Sequence, residues 1–378
     1  MKFENIPSPC YVIEEDLLRG NLEKIKNTGD RSGVEIIMAL KAFAGWGVFP
    51  IIKEYIPLTT ASSVNEARLS FEEMGTLTHS YAPVYKTEEF GEFMKYSSHI
   101  TFNSLTQWEK HKNTVADYDR KISCGLRINP EYSVVDTGLY DPSSAGSRIG
   151  ITSEQIGDKL PEGIEGLHFH NLCESDSYAL EKILEQIEEK FGRFLSEVKW
   201  LNMGGGHLIT GKDYDTSHLI SLLKNFRKKY PNLHIIMEPG SAITWQTGVL
   251  ISTVEDIVEN HGIKTAILDV SFSCHMPDCL EMPYKPKIKG ATEAVSGKPT
   301  YRMGGNSCLA GDFVGDWSFD NELKIGDRVI FEDMIHYTMV KTTTFNGVAH
   351  PSFGIIENNG NFRMIREFWY DDFKSKLS

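Results

Sequence analysis

Eight short apolar runs, each followed by residues with helical spacing, succeed one another between positions 36 and 238, and this alternation constrains the fold more than any other feature. The runs fall at 36–41, 58–61, 79–83, 99–102, 122–128, 164–170, 198–203 and 234–238. Between them lie amphipathic stretches such as 178–195, where Leu180, Ile183, Leu184, Ile187 and Phe191 share one helical face. Parallel strands need long crossovers and helices supply them, so eight consecutive βα units predict an α/β chain built on a (β/α)8 TIM barrel. After about residue 243 the pattern changes to β-rich runs broken by Gly, Pro and Asp, at 249–254, 265–270, 328–332 and 338–344. These predict a C-terminal all-β domain, with 290–300 as a loop. The expected division is a barrel over 1–242 and a β domain over 243–378, the first residues of the chain pairing with the latter.

Barrel active sites lie at the carboxyl ends of the strands, and four chemically distinctive segments occur there. The first run ends in Ala39-Leu40-Lys41-Ala42-Phe43, the sixth in His168-Phe169-His170, the seventh in Gly204-Gly205-Gly206 and the eighth in Glu238-Pro239-Gly240. A lysine in a partly desolvated pocket loses charge and can form a Schiff base. Backbone N–H groups of Gly204, Gly205 and Gly206 can approach a phosphate closely, with Gly240 and Ser241 adding donors from the next loop. Glu238 can ion-pair with a protonated ring nitrogen, and His170 can lie flat on a ring. Each also has a plainer reading taken alone: a solvated lysine, a core histidine, a flexible turn, a capping carboxylate. A zinc site from His168, His170 and Cys173 is disfavoured because strand alternation turns the cysteine away and a fourth ligand is missing. Taken together, the four segments describe a pyridoxal 5'-phosphate site with no metal.

The formal net charge of −13 disfavours nucleic acid and anionic membranes as partners and suits a cationic small molecule. The first residues lack a basic segment followed by an apolar stretch, and no run approaches a membrane span, so a cytoplasmic protein is expected. Six scattered cysteines without a C-x-x-C pair suit reduced thiols.

These segments resemble the fold type III pyridoxal phosphate decarboxylases, the ornithine and diaminopimelate decarboxylase superfamily, whose architecture is alanine racemase-like. Lys41 matches the cofactor lysine, Phe169-His170 the ring-stacking histidine, Gly204-Gly205-Gly206 the phosphate loop and Glu238-Pro239-Gly240 the ring-nitrogen partner. Gly305-Asn306-Ser307-Cys308-Leu309-Ala310-Gly311-Asp312 resembles the family's cysteine loop, which reaches into a neighbouring subunit's site. The resemblance therefore implies a homodimer with shared active sites, in which Cys308 returns a proton to the α-carbon after carbon dioxide leaves. Tyr337 matches the phosphate-contacting tyrosine, although Ile335-His336 replaces the small residues before it, and Ser241 stands where an arginine is usual.

Asn171-Leu172-Cys173-Glu174, Ser273-Cys274-His275-Met276-Pro277-Asp278 and Met282-Pro283-Tyr284 resemble the carboxynorspermidine branch of that superfamily. That branch implies decarboxylation of a carboxylated triamine, carboxynorspermidine or carboxyspermidine, in polyamine biosynthesis. Asp278, Asp312 and Asp316 are then candidates for the distant ammonium groups, Arg148 for a carboxylate or phosphate, and His275 for the pocket. A decarboxylase of diaminopimelate or another basic amino acid, and a non-catalytic cofactor carrier, are the competing readings.

Overall fold

The computed structural model describes residues 3–135 and 138–378. The chain divides into two compact units, one of Asn21–Ile243 and the other of the segment up to Gly20 together with Thr244–Ser378.

In the first unit the strands Thr59–Ala61, Thr78–Tyr81, Ser97–Phe102, Ser123–Arg127, Ile164–His168, Trp200–Asn202 and His234–Met237 pair in parallel with their neighbours in chain order. The eighth staves come from a split strand, Glu35–Ile36 and Met38–Ala39. The Ile37 N–H still donates to Met237 O at 3.0 Å, while the Met38 N–H donates to Leu58 O at 2.9 Å. The chain thus changes neighbours at Ile37. Glu35–Ile36 pairs with the last strand and Met38–Ala39 with the second, so the sheet returns on itself as a nearly closed barrel. The first run therefore ends as a strand at Ala39 rather than at Lys41, which leaves the lysine on the turn just beyond.

The connecting helices begin where a short polar side chain can accept an orphan backbone N–H. Ser63 caps Val64–Leu69, Ser104 caps Leu105–Ala116, Asp176 caps Ser177–Leu195 and Asp215 caps Thr216–Lys229. Ser177–Leu195 buries Leu180, Ile183, Leu184, Ile187 and Phe191, the face expected from its spacing. Buried on both faces, the strands read as continuous apolar runs rather than alternating ones.

The second unit is a mixed nine-stranded sheet. Its longest strand, Gly248–Asn260, pairs antiparallel with Cys10–Glu14, Ile263–Leu268 and Arg328–Glu332. Cys10–Glu14 also runs parallel to Ser352–Ile356. Phe3, Ile6, Cys10, Val12, Val249, Ile251 and Ile356 form a buried cluster in this unit. Two local expectations change. Residues 338–344 carry no strand, because Tyr337–Val340 forms a short helix despite the β-branched threonines that follow it, and tertiary context overrides that propensity. The expected loop at 290–300 contains the strand Ala291–Glu293, paired with Phe313–Phe319. Among the described residues no helix is long and apolar enough to cross a membrane.

Buried imidazoles make stability acid-sensitive. His79, His207 and His275 are almost wholly inaccessible, and burial pushes the last two down to about 3 and His79 well below its ordinary 6.5. Each is neutral when folded and charged when unfolded below about pH 6.5, so the unfolded chain binds more protons. Stability is expected to fall as pH drops below that value, by about 1.4 kcal/mol per pH unit per ring. The urea midpoint should be lower at pH 5.5 than at pH 7.5; an unchanged midpoint would mean the rings charge in place.

Candidate active site

Lys41 stands on the turn that leaves the first barrel strand, with Ala39, Leu40, Ala42 and Phe43 buried around it. The turn is closed by Ala42 N–H to Ala39 O at 3.2 Å and Phe43 N–H to Leu40 O at 3.1 Å. Lys41 is accessible to solvent, yet its amine is crowded by protein: desolvation first and the Arg127 guanidinium second lower its pKa, against the opposing pull of Glu238. Lys41 Nζ lies 2.9 Å from His170 Nε2.

His170 follows the sixth strand by two residues. The Gly205 backbone N–H donates to its Nδ1 at 3.1 Å. A backbone amide can only donate, so Nδ1 is the acceptor and the ring proton of a neutral imidazole sits on Nε2. Desolvation first, with the Arg127 charge adding to it, lowers the pKa of His170 well below its ordinary range, which keeps the ring neutral. With Nε2–H pointing at Lys41 Nζ, the lysine accepts, and only a neutral amine can do so. Hydrogen-bond geometry and desolvation thus both act in favour of the uncharged form of the Lys41 amine.

Glu238 directly follows the eighth strand, His234–Met237. Asn202 Nδ2 donates to its Oε1 at 2.6 Å, and His168 Nε2 lies 3.7 Å from its Oε2. Burial alone raises the carboxyl pKa, but His168, Asn202 and Lys41 together overcome it and hold Glu238 at about 2. Asn202 Oδ1 accepts the Gly204 N–H at 2.9 Å, and the Glu238 N–H donates to Gly204 O at 2.8 Å, so carboxylate and glycine loop are built as one piece. A Cβ on Gly205 would lie 2.2 Å from the Glu238 carbonyl oxygen, and Gly204 has φ of +68°. Neither position tolerates a side chain. Gly240 is buried beside Ala39 and Ala42, and Ser241, also buried, opens the short helix Ser241–Thr244.

The barrel unit therefore brings Lys41, His170, Glu238 and the glycine loop into one cluster. Arg148 is exposed and lines a depression with Asn103, Ser104 and Gln155; its carbonyl accepts from Asn103 Nδ2 at 2.8 Å, and its charge is felt by Tyr81 and Arg127.

The remaining expected residues belong to the second unit. Cys308 is exposed on a loop whose backbone is tied by its own N–H to Asn346 Oδ1 at 2.9 Å. Asp312 is buried and accepts from the Ser273 N–H at 2.9 Å, the Ser307 N–H at 3.1 Å and the Ser307 hydroxyl at 2.6 Å, which makes it the organiser of that loop. Asp278 is paired with Lys341 at 2.7 Å and Asp316 with Arg302 at 2.9 Å. Two of the three aspartates expected to meet substrate ammonium groups, Asp278 and Asp316, thus already hold a cation, while Asp312 is engaged by neutral donors. His275 is fully buried, with Nδ1 accepting the Ser271 N–H at 3.0 Å and its carbonyl taken by Tyr11 OH, so it packs in the core of this unit. Tyr337 opens the helix Tyr337–Val340 and is partly accessible.

A family model described as "Pyridoxal-dependent decarboxylase, C-terminal sheet domain" matches residues 10–335. The chain belongs to the pyridoxal-dependent decarboxylases. It is 50% identical to carboxyaminopropylagmatine decarboxylase of Synechocystis, over 100% of this chain and 97% of that one. It is 43% identical to carboxynorspermidine/carboxyspermidine decarboxylase of Campylobacter jejuni, over 99% of each. The crystal structure of carboxynorspermidine decarboxylase complexed with norspermidine, also from Campylobacter jejuni, superposes with a TM-score of 0.91 at 42% identity, covering 98% of this chain and 100% of that one. The chain is accordingly a decarboxylase of the fold type III class, with barrel and sheet domain.

The cluster suits the cofactor of such decarboxylases. A neutral amine can condense with an aldehyde, an ionised buried carboxylate can face a pyridinium, and the glycine loop is a cradle that a Cβ would fill. Sequence reading passed over Arg127, Asn202 and Glu66. Arg127 is buried at the end of the fifth strand, donates to His170 O at 3.2 Å and lies 4.5 Å over the Tyr81 ring. Glu66 accepts the Ser62 N–H at 2.6 Å and adds negative charge near Lys41. Arg127 and Asn202 share a signal that could have found them: a polar residue near the carboxyl end of an apolar run, flanked on both sides by buried apolar residues, Leu126 and Ile128 or Leu201 and Met203.

Proposed function

We propose that this chain decarboxylates a polyamine bearing a carboxylated aminopropyl end, carboxynorspermidine or carboxyspermidine, with pyridoxal 5'-phosphate held through Lys41. The observation that carries the reading is the Lys41 amine 2.9 Å from His170 Nε2, in one cluster with an ionised Glu238, in a chain with full-length likeness to the norspermidine-bound Campylobacter enzyme. Bound pyridoxal phosphate supplies an electron sink for the pair left behind when the carboxylate departs as carbon dioxide. Lys41 would attach the cofactor and release it to the substrate amine. Glu238 would keep the ring nitrogen protonated, and His170, its plane pinned by Gly205, would hold the ring face. Gly204, Gly205, Gly206, Gly240 and Ser241 are the proposed phosphate contacts of the barrel unit. The cationic substrate agrees with a net charge of −13, and the thiols agree with a cytoplasmic setting.

A second reading rests on the 50% identity to the Synechocystis relative. Carboxyaminopropylagmatine shares the same carboxylated head and differs in a guanidinium tail. The two triamines differ by one methylene, worth about 1–3 kcal/mol, so both are expected to be turned over. Carbon dioxide release and product mass should be followed for the three substrates and for diaminopimelate, side by side. A kcat/KM highest for a carboxy-triamine supports the first reading; one highest for carboxyaminopropylagmatine moves the assignment to the second.

Cys308 is proposed to act in the site of a second copy of this chain, as the acid that protonates the α-carbon, with Asp312 shaping its loop. Lys41→Ala and Cys308→Ala proteins, each inactive alone, are then expected to regain activity when mixed under conditions that exchange subunits. Absence of recovery in a verified mixed dimer would place both residues in one copy.

A further inference from the structure

TIM-barrel interiors are ordinarily filled by branched aliphatic side chains, yet the residue next to Glu238 on its Oε2 side is a histidine. His168 closes the sixth strand, is 2% exposed, and turns Nε2 toward that oxygen at 3.7 Å. Neither of its ring nitrogens has a hydrogen-bond partner among the described residues. Leaving a buried polar group unsatisfied is destabilising. A phenylalanine would occupy similar volume without that cost, so what the histidine adds is a donor aimed at Oε2. Contacts of this length in catalytic sites tighten when the ligand is in place.

The ring's surroundings define its charge. The Tyr81 ring lies 5.3 Å from the His168 ring, and the Arg127 guanidinium sits 4.5 Å over Tyr81. Desolvation opposes protonation of His168 and the nearby Arg127 charge adds to it, against the pull of Glu238. The distinction matters, because an imidazolium would compete with a pyridinium for the same carboxylate, whereas a neutral N–H orients the carboxylate and leaves its charge available.

We propose that His168 is a positioning residue for the decarboxylation: its uncharged imidazole directs Nε2–H at Glu238 Oε2, while Asn202 holds Oε1, so that the carboxylate faces the cofactor ring nitrogen in one orientation without being neutralised. This deepens the reading of Glu238 given above and rests on it.

The test uses full-length enzyme loaded with pyridoxal phosphate labelled with 15N in the ring, read by the ring-nitrogen chemical shift and by the cofactor dissociation constant. Glu238→Gln is expected to move the resonance toward that of an unprotonated ring. His168→Phe is expected to move it in the same direction and to weaken cofactor binding roughly 10- to 100-fold, the loss expected for one hydrogen bond to a charged group. His168→Gln, which keeps an N–H donor, is expected to recover most of both. A histidine that merely packs predicts the reverse order, with phenylalanine harmless and glutamine damaging. A wild-type resonance in His168→Phe alongside a moved one in Glu238→Gln overturns the inference alone, and an unmoved resonance in Glu238→Gln removes its premise. Should the phenylalanine variant not fold, His168→Met against His168→Gln supplies the same comparison.

Discussion

Replacement of Lys41 by alanine is expected to lower decarboxylation by roughly 10^3-fold or more, because it removes the group proposed to attach the cofactor covalently. The site prepares this amine in two independent ways. Desolvation and the Arg127 charge lower its pKa, and the Gly205–His170 hydrogen bond leaves a ring N–H directed at Nζ. Arginine at position 41 would not rescue, since a guanidinium keeps its proton at any pH the protein survives. Borohydride reduction of loaded wild-type enzyme followed by peptide mapping should recover a pyridoxyl group on the peptide that contains Lys41. Recovery elsewhere, or an alanine variant that turns over at the wild-type rate, would take the lysine out of the chemistry.

Glu238→Gln is expected to cost about 10^2- to 10^3-fold in kcat, the range for removing one preorganised electrostatic partner of a developing charge. Glutamine keeps the shape and the contact with Asn202 Nδ2 but not the negative charge. Because the carboxyl is held at about 2, it remains ionised throughout the range in which the protein is folded. The pH profile of kcat/KM should accordingly show no limb near pH 4 from this residue in wild-type enzyme. A rate insensitive to Glu238→Gln would mean that the ring nitrogen needs no anionic partner here.

The four segments at the carboxyl ends of strands were legible because barrel chemistry collects there, whatever the loops do. Lys41, His170, Gly204-Gly205-Gly206 and Glu238 could be selected from their place after apolar runs, and they do lie in one cluster. Asn202 and Arg127 escaped notice because an apolar run with one polar residue reads as a strand first, and only the folded sheet reveals which way that residue points. Asp278, Asp316 and His275 illustrate the converse. Their residue types suit a cationic substrate, but Lys341, Arg302 and the Ser271 amide already engage them.

The order of strands and helices, the barrel, the change to a β-rich second half and the place of Lys41 just beyond the first strand were determined by the linear sequence, since hydrophobic periodicity and residue type are local properties. The charge states were decided by tertiary structure alone. Whether Lys41 is a nucleophile or a solvated cation depends on Arg127, His170 and the Gly205 amide, 86, 129 and 164 positions away. Glu238 likewise stays ionised through His168 and Asn202, which reach it from two other strands. Desolvation and Coulomb interaction depend on distance in space, and no spacing along the chain encodes that distance before the barrel closes.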